Sequence, residues 1–156
     1  MDDIEVIRQQ DVDAHPAPHG DDRAHRSMTF VRFEVGFVSA DRGLVDFLTA
    51  VFELDELPAE EHGPGTLYRL QSPGALLKVL VPSSPPKPAD RAESLLSVAG
   101  LSYLSVWVTG LDGVIARAVA RGGRVLYGPV EHGADTHLAV IEDPDGNSIE
   151  VIEYHP

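Results

Sequence analysis

The sequence has no cysteine, a single tryptophan and two methionines among its 156 residues. Without thiols it can form no disulfide framework, thiolate nucleophile or zinc–cysteine centre. Any metal or catalytic site must then be assembled from His, carboxylates, Tyr, Ser, Lys or Arg. Cations are scarce as well: 12 Lys and Arg against 25 Asp and Glu give a formal charge of -13. Such a field repels phosphate backbones and anionic lipid, which argues against nucleic-acid and membrane partners, and it favours a cationic ligand if it selects any. No apolar run approaches the roughly 20 residues needed to span a bilayer, and residues 1–8 lack the basic and apolar regions of a signal peptide. A cytoplasmic location is expected, with one domain of ordinary size.

What is present divides into an arm and a patterned remainder. Residues 8–27 carry four aspartates, His15, His19, His25, Pro16 and Pro18 but few apolar side chains, a composition that cannot bury itself. Residues 1–28 are therefore expected to form a flexible or strapping N-terminal arm. The histidine spacings across two prolines and Gly20 fix no coordination geometry. From Phe30 a β-rich run reaches Val38, followed by Ser39 or Asp41 as a helix cap. Leu44, Phe47, Leu48, Val51 and Phe52 then recur on one helical face. Strands are expected over 53–57, 66–71 and 75–81, separated by His62-Gly-Pro-Gly65 and Ser72-Pro-Gly74.

After a proline-rich linker the order repeats: a strand over 101–109, then a helix with Leu111, Val114, Ile115, Ala118 and Val119 on one face. Gly122-Gly123 ends it with a left-handed cap. Strands over 124–126, 136–141 and 148–153 follow. A shift of seventy positions brings the halves together, placing Phe33 on Tyr103, Phe37 on Trp107, Val38 on Val108 and Thr66 on Thr136. Matching element order predicts an α+β fold of two βαβββ modules, 29–82 and 100–155 with linker 82–99, in one domain over 29–156. The two sheets are expected to make a concave mixed cup with flanking helices.

The segment Ile141-Glu-Asp-Pro-Asp-Gly-Asn-Ser-Ile-Glu-Val-Ile-Glu153 resembles the best-known motif of the vicinal oxygen chelate superfamily of glyoxalases, bleomycin-resistance proteins and dioxygenases. Pro144 presets φ, and Asp145-Gly146-Asn147 supply turn and left-handed conformations, forcing the flanking strands antiparallel. The resemblance covers about residues 30–155 and points to the fold far more than to an activity. It also implies where relatives that use a metal draw their ligands: the first and last strands of each half, here Phe33, Lys78, Tyr103 and Glu150. Only Glu150 is an ordinary ligand for a hard divalent ion. Glu34 would replace Phe33 if the register slipped by one residue. His137, by the pairing centred on Asp145, faces away from Glu150.

Strand alternation puts Phe33, Val35 and Phe37 on one face, and Tyr103, Ser105 and Trp107 on the matching one. With Lys78, Leu138 and Glu150 these nine residues are the expected ligand-binding set. His62 and His132, in corresponding loops, are candidates for a gate or a general base. The expected function is binding or sequestration of a planar organic or antibiotic-like molecule. The alternative is a lyase, isomerase or dioxygenase that uses Glu150 as a base or as a divalent-metal ligand. A third class is a partner-binding subunit with a filled cup. No cofactor motif is present, and a homodimer is expected.

Overall fold

A computed structural model describes residues 33–88, 95, 97 and 99–154. The element order is β1 (Val35–Val38), α1 (Gly43–Phe52), β2 (Asp55–His62), β3 (Gly65–Ser72) and β4 (Ala75–Pro82). It continues with β5 (Leu104–Val108), α2 (Leu111–Ala120), β6 (Arg124–Glu131), β7 (Thr136–Glu142) and β8 (Ser148–Tyr154). Both βαβββ halves are thus present. The arm and most of residues 89–98 lie outside the described residues.

Each half forms a four-stranded mixed sheet, the first ordered β1-β4-β3-β2 and the second β5-β8-β7-β6. The opening strand of each half pairs in parallel with the last, and the other pairings are antiparallel. Two-residue and motif-bearing turns set these registers. Around Pro73-Gly74, Ser72 pairs with Ala75 and Arg69 with Lys78. In the Asp143–Asn147 turn, the Asn147 amide donates to Asp143 Oδ1 at 2.8 Å and the Asn147 side-chain amide donates to Asp143 Oδ2 at 2.7 Å. Gly146 takes the φ of 72° that a side chain would disfavour. Pairing is then centred on Asp145, as expected, with Val140 opposite Glu150 and Leu138 opposite Ile152.

The helices bury the faces their periodicity marks. Leu44, Val45, Phe47, Leu48 and Val51 of α1 join Leu70, Leu77 and Val79 of the first sheet. Leu111, Val114 and Ala118 of α2 join Ala139, Ile141, Ile149 and Val151 of the second, and all belong to one core. Each fully buried aliphatic or aromatic side chain of this kind contributes roughly 1.5–3 kcal/mol. Arg117 ties the helices together, donating Nε and Nη2 to the Val51 carbonyl at 3.0 and 2.9 Å. Neither expected residue caps α1: the N-cap is Arg42, which makes no side-chain capping bond, while Asp41 just before it accepts from the Gly43 amide at 2.6 Å and Ser39 is buried. Gly122, at φ 87°, supplies the expected left-handed stop after α2. Among the described residues no helix is long and apolar enough to cross a membrane.

Candidate functional site

Because Val35, Phe37, Leu104, Val106 and Val108 pack against the shared core, alternation sends their neighbours to the other side of each sheet. On the second sheet that outer face gathers Tyr103, Ser105 and Trp107 with Glu150 and Ile152, through the pairs Ser105–Glu150 and Trp107–Ile152. Leu138 and Val140 adjoin them on β7, and Val130 and Tyr127 on β6 continue the row. Trp107 is 64% exposed and Tyr103 37%, whereas Leu138 and Val140 are buried. The Ser105 hydroxyl donates to Glu150 Oε2. The result is an apolar floor with two open aromatic rings and one carboxylate held by a neighbouring hydroxyl.

On the first sheet, Gly36 pairs with Lys78 and Val38 with Leu80, so Glu34, Gly36 and Val38 share the outer face with Lys78. Lys78 Nζ lies 2.5 Å from Glu34 Oε2. Arg69, opposite Lys78 on β3, has Nη2 2.6 Å from Glu60 Oε1. His62 Nε2 sits 3.4 Å from the other oxygen of Glu60, at the β2–β3 hairpin.

Two expectations are corrected by these registers. Val35 and Phe37 face the helical core, on the side of the sheet opposite to Lys78, because it is Gly36 that pairs with Lys78. The residue matching Tyr103 is Glu34 and not Phe33: each directly precedes the first paired residue of its opening strand, Leu104 and Val35. Phe33 itself is 70% exposed. The uniform seventy-residue shift fails here because the opening strands are sixty-nine positions apart, while Lys78 and Glu150 are seventy-two apart. Val38, 58% exposed, is therefore the counterpart of Trp107. Arg69 escaped the sequence reading, although the Ser72-Pro-Gly-Ala75 turn carries enough information to set it opposite Lys78.

His137 and His132 have partners other than Glu150. His137 pairs with Glu153 and Glu131 across the sheet, one position out of step with Glu150, and its Nε2 lies 3.9 Å from Glu131. His132 belongs to the β6–β7 turn, where its backbone carbonyl accepts from the Thr136 hydroxyl and its amide donates to the Thr136 carbonyl at 2.7 Å. Among the described residues no group of three or more His, Asp or Glu side chains is arranged to hold a metal ion.

A family model described as the Glyoxalase/Bleomycin resistance protein/Dioxygenase superfamily matches residues 22–151. Among solved structures, a glyoxalase family protein from Bacillus cereus aligns with a TM-score of 0.69 at 16% identity, covering 85% of this chain and all of that one. TioX from Micromonospora sp. ML1 aligns at 0.57 and 21% identity, over 80% of this chain and 99% of its own. The fosfomycin resistance protein FosX from Mesorhizobium loti aligns at 0.58 and 14% identity, over 81% and 93%. At these identities the structural likeness speaks for the fold alone. A comparison with curated protein sequences returned no match.

Proposed function

This chain belongs to the Glyoxalase/Bleomycin resistance protein/Dioxygenase superfamily, and on that premise we propose that it binds a flat organic molecule on the outer face of its second sheet, without a resident metal. The observation that carries the proposal is the pair of open rings, Tyr103 and Trp107, on the same face as Glu150. Exposed aromatics above a buried apolar floor stack on planar ligands, and a nearby carboxylate favours those that carry positive charge. A cation over an indole gains about 0.5–2 kcal/mol. Sequestration of an antibiotic-like molecule is the biological form this binding takes.

The four positions where metal-using relatives draw ligands correspond here to Glu34, Lys78, Tyr103 and Glu150. Their chemistry does not suit a divalent ion. Lys78 places an ammonium against the carboxylate of Glu34; Glu150 is engaged by Ser105; and a tyrosine must ionise well below about pH 10 to coordinate. Calorimetric titration with zinc, nickel, manganese and iron(II) should give no binding at micromolar or tighter affinity. Tight binding abolished by Glu150→Ala would overturn the metal-free assignment and favour a metal-dependent enzyme.

The ligand proposal is tested with the emission of Trp107, the only tryptophan of the chain. A panel of planar aromatic compounds of positive, neutral and negative charge should quench it saturably, with anions binding worst at this face. Absence of saturable quenching across the panel would remove the proposal.

A second reading, a metal-free catalyst with Glu150 as base, draws support from the Ser105–Glu150 hydrogen bond, which aims a positioned carboxylate at an open face. Conversion of any bound panel compound, lost in Glu150→Gln, would favour it over sequestration.

A further inference from the structure

The outer face of the first sheet carries an arrangement that the binding of a flat molecule on the second sheet does not use. Lys78 and Arg69 are directly opposed across β3 and β4. Cross-strand partners have Cβ atoms roughly 4.5–5.5 Å apart, a spacing at which two like charges repel. In a chain of charge -13 with only 12 basic residues, two of them stand side by side here, with Glu34 and Glu60 as their counter-ions. Neither is locked away: the side chains are 37% and 31% exposed. Arg69 Nε, a donor shielded from solvent, finds no hydrogen-bond partner among the described residues. An orphaned N–H of this kind is costly unless something accepts from the guanidinium.

Beside Lys78 on its other flank stands Gly36, and a Cβ built there would meet nothing within 4 Å. Among the described residues the sheet therefore leaves open space over Gly36, on the face that carries Lys78. Glu34 and Glu60 each bind one of the two cations, at 2.5 and 2.6 Å, and so hold both side chains in place while leaving the four charges balanced. An arriving anion would take the place of Glu34 at Lys78 and so keep the charges balanced.

We propose that Lys78 and Arg69 form an oxyanion-binding subsite over Gly36, which takes the carboxylate or phosphoryl group of a small ligand. Arg supplies the planar fork suited to two oxygens, and Lys the compact point charge. The subsite lies on a different sheet from Tyr103 and Trp107 and does not depend on them.

The test is a titration of the isotopically labelled full chain with inorganic phosphate and, separately, acetate, following backbone amide resonances at constant ionic strength. Saturable shifts at Gly36, Arg69 and Lys78 are expected, and whichever anion binds more tightly identifies the class. Lys78→Gln and Arg69→Gln should each weaken binding about tenfold or more. Gly36→Val should abolish it by filling the space; a Cβ there meets nothing within 4 Å, so the fold should be retained, and this variant decides the matter if a charge variant fails to fold. Glu34→Gln, by releasing Lys78, should tighten binding severalfold, the opposite of what a purely structural quartet would give. Shifts that never saturate with either anion, or unchanged affinity in Lys78→Gln, Arg69→Gln and Gly36→Val, would overturn the proposal. Trp107 emission should stay constant throughout, so failure here leaves the ligand face of the second sheet untouched.

Discussion

Glu150 owes its setting to three neighbours: Ser105 donates to it, Val140 pairs with it across β7, and Trp107 stands two residues beyond Ser105 on the same face. Removing the carboxylate should weaken a cationic panel ligand far more than a neutral one, measured by Trp107 emission in Glu150→Gln. Ser105→Ala should cost less, about 1 kcal/mol of affinity, since it removes one orienting hydrogen bond and leaves the charge. Equal losses for neutral and cationic ligands in Glu150→Gln would mean that the carboxylate does not read charge. At this scale the sequence placed Tyr103, Ser105, Trp107, Leu138 and Glu150 together, because alternation on β5 and the turn-fixed register of β7 and β8 leave no freedom. It misplaced Val35 and Phe37. Their aromatic and branched character fits a core as well as a ligand face, and composition alone does not give the parity of a four-residue edge strand.

Elements in this fold are secured by side chains from distant strands. Glu153 on β8 accepts from the backbone amides of Gly110 and, at 3.1 Å, Leu111, satisfying donors at the start of α2 with a negative charge where the helix dipole favours one. Glu153→Ala should lower stability by about 1 kcal/mol in urea unfolding. A larger effect is expected at Gly123, where a Cβ would come within 2.8 Å of the Glu142 carbonyl oxygen and 2.9 Å of the Phe47 ring. Gly123→Ala should therefore cost about 1–3 kcal/mol through overpacking; a neutral result would show that the α2–β6 link yields freely. Element order and helix faces were legible because periods of 3.6 and 2 are written in the apolar spacing. The exact offset between the halves was not, since the links joining strands and helices differ in length and no apolar pattern records them.

Seen as a whole, the chain joins its two halves through helices and a single core, so the outer faces of the sheets are turned away from that shared layer. Each face keeps an exposed apolar residue at the matching position, Val38 and Trp107, on an edge strand. Pairing of two copies through edge strands, which leaves the sheet faces open, is the expected assembly. Light scattering should show a dimer, and a monomer at every concentration would refute it. Binding of a flat molecule on the second sheet is read residue by residue by mapping backbone amide shifts with the tightest ligand from the fluorescence panel. The perturbed amides should cluster at Tyr103, Ser105, Trp107, Leu138 and Glu150. Shifts confined to other surfaces, with these five unmoved at saturation, would contradict it.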